Sequence, residues 1–337
     1  MHTITPKPFK TIEEQIIILA SRNLGFYDKE SAKRHLLQYG YYEIVNGYKD
    51  CLLETRNPDF FCSGSTFEHL FSLYELDKNF QQGVRDAMLE FELILKGAMS
   101  YVLSSKFGVD KKDYLKRTNY KSGKYCGYSD PNGNKVYEID QLIKKFNKIA
   151  SDDVQPFKHY RDKHGHIPLW ILFKGATFGN MCKLFSLLKS DMKDEVISVM
   201  MGIPVPLVKL SIETKNLFTD LLALCNKFRN RASHSGRIFN YRAETATIRY
   251  NPTLHPLIRV SKTMHKRGFG KNDLFVLLCT LAKIQAPSPH FHLNFSLEYH
   301  LKKHLELFPD DKNFLLSEMG VPKVLMQQDI KDIFSAK

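Results

Sequence analysis

Apolar residues recur at the spacing of an α-helix along most of the chain. After Ser65, four apolar residues fall at i, i+3, i+4 and i+7 and so share one helical face: Phe67, Leu70, Phe71 and Tyr74. The period continues to about Val102, and Gly108 is expected to end the helix, because glycine is favoured just past a helix C-terminus. The spacing therefore predicts one long helix in the first third of the chain.

Capping signals predict where several helices begin. Thr11–Glu14 and Ser65–Glu68 both fit the S/T-x-x-E pattern of a capping box. Asp28 is placed to cap a second helix, which carries Ala32, Leu36 and Leu37. These signals predict two short helices before the long one.

The strongest later period predicts a helix from about Pro206 to His234, and Ser235-Gly236 is expected to end it. Its buried face is marked by Leu217, Leu221, Leu224 and Phe228. Further helices are predicted near residues 138–149, after residue 168, and over residues 273–283, 293–308 and 322–334.

Three segments interrupt this helical pattern. Residues 110–135 are basic, and the turn signal Asp130-Pro131-Asn132-Gly133-Asn134 predicts a loop or hairpin there. Residues 235–270 are irregular and basic, and Pro287-Ser288-Pro289 is predicted to be a linker. The expected fold class is all-α, with short irregular or β-like insertions.

The net charge of +13 favours polyanionic partners, namely RNA, DNA or an acidic membrane. The six cysteines form no C-x-x-C pair, so we expect neither a zinc ribbon nor a disulfide framework. The first residues show no basic segment followed by an apolar run, and no apolar stretch approaches the ~20 residues of a membrane span. A cytoplasmic protein without a membrane partner is the expectation.

Candidate chemistry lies at the predicted end of the later helix, in Arg229-Asn230-x-x-x-His234. At 100° per residue, Asn230 and His234 share a face, with Arg229 beside it. RNA cleavage through the ribose 2′-hydroxyl needs a base, an acid and a cation that stabilises charge at phosphorus. An imidazole titrates near neutral pH and suits the proton transfers. On spacing alone, a histidine that merely favours the negative end of the helix dipole remains the alternative.

The longer string Arg229-Asn230-Arg231-Ala232-Ser233-His234-Ser235-Gly236-Arg237-Ile238-Phe239-Asn240 resembles the R-N-x-x-(A/S)-H-x-x-R-x-(W/F)-N block of the Abi family, in its AbiD/AbiF-like branch. Further blocks resemble the same family in the same order: Lys7-Pro8-Phe9, Tyr41-Tyr42 with Gly47-Tyr48, Gly64–Phe67 with Leu73–Asp77, Glu92 with Phe107-Gly108, and Pro168–Trp170 with Phe178-Gly179. Arg231 stands where the family pattern has an apolar residue, and Lys96 where arginine is frequent.

This resemblance implies a HEPN-like helical bundle and a role in abortive infection against phage. It implies ribonuclease catalysis by Arg229, Asn230 and His234, and a small noncoding RNA as inhibitory partner. Because the chain has one such motif, a homodimer would be needed to pair two of them. We expect residues 1–240 to form the Abi/HEPN domain, with the basic insertion near 110–135. Residues 241–337 would be a C-terminal helical extension packed on the same domain.

Three basic stretches with interleaved aromatic residues predict an RNA-binding surface: Lys111–Lys124, Lys227–Arg242 and Arg259–Lys271. The candidate contacts are Lys111, Lys112, Lys116, Arg117, Lys227, Arg231, Arg237, Asn240, Arg242, Lys262, Lys266 and Arg267. No cofactor is expected, and His290-Phe291-His292 lacks the accompanying ligands of a metal site. The leading hypothesis is a metal-independent endoribonuclease that leaves 2′,3′-cyclic phosphate ends. The alternatives are a non-cutting RNA-binding regulator and a helical protein-interaction module.

Overall fold

The computed structural model describes residues 8–335, and helices make up most of them. Residues 1–7 lie outside the described part, and with them Lys7 of the block Lys7-Pro8-Phe9. The α-helices are α1 (Ile12–Ser21), α2 (Lys29–Tyr39), α3 (Phe67–Phe107), α4 (Lys111–Tyr114), α5 (Glu138–Ala150), α6 (Phe157–His164), α7 (Leu169–Leu172), α8 (Phe178–Leu187), α9 (Ser190–Met201), α10 (Val205–Leu210), α11 (Ile212–Ser233), α12 (Lys262–Lys266), α13 (Leu274–Leu281), α14 (Ser288–Leu307), α15 (Lys312–Met319) and α16 (Ile330–Phe334).

Short 3-10 turns and one π-helical turn link these helices. The π-helical turn is Tyr42–Asn46, and the 3-10 turns are Lys49–Cys51, Arg117–Asn119, Phe173–Gly175, Pro309–Asp311 and Lys323–Leu325. The all-α prediction is confirmed. Within residues 8–335, no helix is both long enough and apolar enough to cross a membrane.

The β-structure of the described residues consists of two antiparallel hairpins and one isolated parallel bridge, between Gly25 and Thr66. The first pairs β1 (Leu53–Arg56) with β2 (Asp59–Phe61) and was not predicted. The second pairs β3 (Tyr125–Ser129) with β4 (Lys135–Tyr137) inside the basic segment, as the turn signal predicts. Its turn is closed by Asp130, whose Oδ1 accepts from the backbone N–H groups of Asn132 and Asn134 at 2.9 and 2.8 Å.

Helix α3 is the longest element, with 41 residues and so a length of about 60 Å. Its middle turns are buried by α7, α9, α11 and α14, which pack around it. The side chains buried there include Phe80, Val84, Met88, Phe91 and Leu95. The predicted stop at Gly108 is confirmed, since this residue caps the helix with a φ of +80°.

The predicted helix starts are partly confirmed. Thr11 forms the capping box with Glu14, and Asp28 caps α2. The second predicted capping box is wrong, because Thr66 is the N-cap and accepts from the N–H of His69 at 3.2 Å. Glu68 instead accepts from the backbone N–H groups of Tyr27 and Asp28, both at 3.1 Å.

The helix predicted from about Pro206 to His234 is two helices, because the backbone of Ser211 is extended and its side chain caps α11 by accepting from Thr214 N. The predicted linker at Pro287-Ser288-Pro289 is also wrong. These prolines begin α14, at positions where a helix needs no N–H donor. The helix predicted over 322–334 is a 3-10 turn followed by the short α16.

Helix α14 lies along α3 at close range. Ser296 of α14 donates its hydroxyl to the carbonyl of Asn79 at 3.0 Å. Gly83 lies opposite Ser296, and a β-carbon at position 83 would overlap that serine side chain. The glycine therefore permits this contact between the two helices.

Candidate functional site

The Arg229-Asn230-x-x-x-His234 motif occupies the C-terminal end of α11. His234 caps the helix, and the next residue, Ser235, takes the left-handed conformation with a φ of +54°. The N–H of Ser235 donates to the carbonyl of Ala232 at 3.3 Å, and that of Gly236 donates to the carbonyl of Arg231 at 3.0 Å. This is the bonding pattern of a Schellman motif, which fixes the backbone around the histidine. Residues 235–236 end the helix as predicted, with Ser235 in the conformation that usually requires glycine.

The three predicted catalytic side chains are open to a ligand. Arg229 is half-buried, and Asn230 and His234 are exposed. Within residues 8–335, no hydrogen bond or ion pair engages any of the three side chains. A guanidinium, an amide and an imidazole therefore stand free at one helix end.

The neighbouring Arg231 is held by the fold. Its Nε donates to the carbonyl of Arg237 at 3.1 Å, and its guanidinium lies 5.2 Å from the centre of the Tyr241 ring. A β-carbon on Gly236 would overlap this guanidinium, so the glycine gives it room. These contacts explain why a cation stands where the family pattern has an apolar residue.

Arg85 of α3 also contacts the end of α11, and sequence reasoning missed it. Its Nη1 donates to the carbonyl of Ala232 at 3.1 Å, and Gln82 accepts from its Nε and Nη2 at 3.2 and 2.7 Å. A cation at a helix C-terminus satisfies free carbonyls and stabilises the helix dipole. The sequence signal that could have identified it is an arginine directly after Val84, which belongs to the predicted buried face of the long helix.

A second junction fixes the chain that leaves the motif. Asp77 is fully buried, and its Oδ1 accepts from the backbone N–H groups of Ile238 and Phe239 at 2.9 and 2.8 Å. Its Oδ2 accepts from the hydroxyl of Tyr48 at 2.9 Å and from the amide of Gln81 at 3.1 Å. Burial raises the pKa of Asp77, and these four donors oppose that effect.

Three of the blocks noted in the sequence meet at this carboxylate. Tyr48, Asp77 and Phe239 come from three different blocks, and the Arg237 guanidinium donates to the carbonyl of Gly47. The Tyr48 and Phe239 rings stack with centroids 6.1 Å apart. Three of the blocks therefore form one structural junction next to the motif.

The fold joins two of the three predicted RNA-binding stretches. The backbone N–H of Ala243 donates to the carbonyl of Asn272 at 3.0 Å, and that of Ile248 to the carbonyl of Lys271 at 2.7 Å. These bonds tie the residues that follow the stretch Lys227–Arg242 to the end of the stretch Arg259–Lys271, which contains α12. The first stretch, residues 111–124, bonds instead to α5 and the end of α8, through Arg117–Asp140 and Lys121–Leu187.

The residues predicted to contact RNA fall into two groups: those whose side chains form hydrogen bonds or ion pairs within the chain, and those whose side chains do not among the described residues. Engaged within the chain are Arg231, Arg237, Arg242 (to the carbonyl of Glu318), Arg117 (to Asp140) and Lys112 (3.5 Å from Asp110). Without a hydrogen-bond or ion-pair partner among the described residues are Lys111, Lys116, Lys227, Asn240, Lys262, Lys266 and Arg267. Lys262 additionally lies 5.7 Å from the Tyr250 ring centre.

The comparisons with known proteins give one match. The model of the family described as Abi-like protein matches residues 34–240, which is more than half of the chain. No curated protein and no solved structure matches the chain. The matched region includes α3, α11, the motif and the Asp77 junction, and it ends at Asn240.

Proposed function

The chain belongs to the Abi-like protein family, and from that premise we propose that it is a metal-independent endoribonuclease of the HEPN type that acts in abortive infection. The observation that carries the proposal is the free set of Arg229, Asn230 and His234 at the end of α11. The surrounding polar groups are engaged in holding the backbone of that turn. Such an arrangement keeps the reactive side chains available while their support is fixed.

The proposed reaction uses the RNA's own 2′-hydroxyl. A base takes the 2′-O–H proton, the 2′-oxygen bonds to phosphorus, and the bond from phosphorus to the 5′-oxygen breaks. An acid returns a proton to that oxygen, so the products are a 2′,3′-cyclic phosphate and a 5′-hydroxyl. His234 is one proton-transfer group, and His234 of a second copy is the other.

The other two motif residues would act on the phosphate. Arg229 stabilises the negative charge that develops on the phosphoryl oxygens in the transition state. Asn230 lies one helical turn before His234 and positions a phosphate or base edge by hydrogen bonding. A small noncoding RNA bound on the same surface would hold the enzyme inactive until infection.

Cleavage of RNA by the purified chain tests this proposal. We expect RNA cleavage to persist in EDTA when it is measured well below the unfolding temperature of the protein. The products should carry 2′,3′-cyclic phosphate ends. RNA with a 2′-O-methyl group at the cut site should resist. His234→Ala should lower the rate by about 10²–10⁴-fold, the usual contribution of acid–base catalysis, and Arg229→Ala should do likewise.

The matched controls are His292→Ala, an exposed histidine on α14, and Lys227→Ala, which removes a cation of α11 that has no partner among the described residues. The first should cut at the wild-type rate, and the second should weaken binding more than turnover. A folded His234→Ala protein that cuts at the wild-type rate contradicts the mechanism. A chain that binds RNA tightly and never cuts it supports a regulatory RNA-binding protein instead.

A further inference from the structure

Three side chains converge where the start of α3 meets the end of α14. His69 lies in the first turn of α3, His304 in the last turn of α14, and Asp311 in the 3-10 turn before α15. Asp311 Oδ2 is 2.6 Å from His69 Nε2 and 2.8 Å from His304 Nε2. The potential ligand atoms of the three residues all lie within 4.8 Å of one another.

The cluster is shielded from water and rigidly supported. His304 has 2% of its side chain exposed, against 15% for His69 and 12% for Asp311. The His69 ring stacks flat on Phe308, with centroids 3.9 Å apart and planes 3° apart. Both rings are thus fixed with Nε2 directed at the same carboxylate oxygen.

The charge of this carboxylate needs a partner. Among the described residues, neither a lysine nor an arginine pairs with Asp311, and its Oδ1 has no hydrogen-bond partner there. A largely buried carboxylate between two imidazoles is stabilised by a positive charge, which is supplied either by an imidazolium or by a bound cation. Two nitrogen ligands and one carboxylate form a donor set typical of Zn²⁺ and related transition-metal ions, and not of Mg²⁺ or Ca²⁺.

The second nitrogen of His304 fits metal binding. Ser72 Oγ lies 2.8 Å from His304 Nδ1. When Nε2 gives its lone pair to a metal, Nδ1 carries the proton, and the serine oxygen can accept it. Ser72 is not placed as a nucleophile, because it lies within α3, where the backbone N–H groups are engaged in the helix and none can stabilise an oxyanion.

We propose that His69, His304 and Asp311 bind a Zn²⁺-type dication that fastens the C-terminal region to α3. Tetrahedral metal–ligand bonds of about 2.0–2.2 Å require the carboxylate oxygen to move about 0.5–0.8 Å further from each imidazole nitrogen. Asp311 can provide this movement, since it lies on a short turn and its other oxygen is free. His69 belongs to the family-matched residues, whereas His304 and Asp311 follow Asn240.

The site is independent of the proposed nuclease. It does not include His234, so a metal bound here would contribute to stability and not to the cleavage step. Loss of the metal would lower the unfolding temperature while cleavage at lower temperature continued. Failure of either proposal therefore leaves the other standing.

The test uses the full chain without a histidine tag, first stripped with EDTA. Saturating ZnCl₂ should raise the unfolding temperature by about 4 °C, as expected for a ligand at a hundred times its Kd, and MgCl₂ should not. Metal analysis should find one Zn²⁺ per chain. His69→Ala and Asp311→Asn should each abolish the shift, while His300→Ala, one turn before His304 on the same helix, should retain it.

CoCl₂ provides a measurement that needs no variant. Bound Co²⁺ with imidazole ligands absorbs visible light, and one equivalent of Zn²⁺ should displace it and remove the absorption. The proposal is overturned if Zn²⁺ gives no shift and Co²⁺ no absorption, or if both cluster variants bind Zn²⁺ as the wild type does.

Discussion

At the scale of single residues, Arg85 of α3 supports the motif directly by a hydrogen bond to the end of α11. Its guanidinium donates to the Ala232 carbonyl, two residues before His234. We predict that Arg85→Ala lowers the cleavage rate by about tenfold to a hundredfold, because small misplacements of catalytic groups have effects of that size. RNA affinity should change little, and Arg85→Lys should recover most of the rate. Single-turnover cleavage and RNA titration separate the two effects.

Arg34→Ala is the matched control, since Arg34 is an exposed arginine on α2. An Arg85→Ala protein that cuts as fast as the Arg34→Ala protein would show that α11 needs no support from α3.

The motif was predictable from the sequence, because its residues are neighbours on one helix. Arg85 and Asp77 were not assigned these roles, because their partners lie 147 and 161 residues further along the chain. Periodicity reports which face of a helix is buried and not which distant backbone group meets it. The same limit hid the cluster of His69, His304 and Asp311, which comes from three separate segments.

At the scale of elements, the N-terminus of α13 carries a buried charge. Asp273 caps this helix by accepting from the N–H of Val276 at 2.8 Å, and burial raises the pKa of Asp273 to about 6. Below about pH 3 the group is mostly protonated in both folded and unfolded chains. Above pH 6 it is ionised in both, and the folded state bears the cost of the buried charge.

We therefore predict that Asp273→Asn stabilises the fold at pH 8, by up to about 3 kcal/mol, and has little effect at pH 4. Asparagine can still accept from the N–H of Val276, so the cap is retained. Urea unfolding at a series of pH values measures the difference. A variant that is equally destabilised at every pH would indicate that the carboxylate itself is needed.

Most elements followed from periodicity and caps, and the exceptions have physical reasons. The break at Ser211 lies between two apolar helical segments, and the continuous period gave no sign of the extended backbone there. The prolines at 287 and 289 gave a linker signal, but proline is also favoured in the first turn of a helix. The β1–β2 hairpin follows the Tyr42–Asn46 turn and lacks alternating burial.

At the scale of the whole molecule, a face of α3 next to the motif suits a twofold dimer. Leu89 and Leu93 follow Arg85 by one and two turns and are 59% and 54% exposed. Trp170, at 48% exposure, borders the same surface as Leu93. We predict a dimer through this face, which would bring two motifs together.

Light scattering should give twice the mass of one chain. Leu89→Glu combined with Leu93→Glu should give a monomer that no longer cuts. Leu37→Glu on α2, which is 75% exposed, should leave both properties unchanged. A wild-type monomer that cuts RNA at micromolar concentration would remove the need for a second copy.

RNA binding should be electrostatic and centred on α12. Lys262, Lys266 and Arg267 are exposed, and the fold ties their segment to the chain leaving the motif. Changing all three to Glu should weaken binding and reduce its salt dependence, by roughly 0.7 in the log–log slope for each lost phosphate contact.

The control triple Lys144→Glu, Lys145→Glu and Lys148→Glu makes the same change in net charge on the exposed side of α5. If both triples weaken binding equally, the effect comes from overall charge and not from a surface at α12.

The glycine at position 83 has a consequence for other members of the family. Its missing β-carbon leaves the space that Ser296 of α14 occupies, and α14 lies beyond the residues that the family model matches. A relative with a bulkier residue at the equivalent position could not seat a helix in the same place. One column of a future alignment could thus sort the family into chains that carry such a helix and chains that leave this flank of the long helix for another occupant.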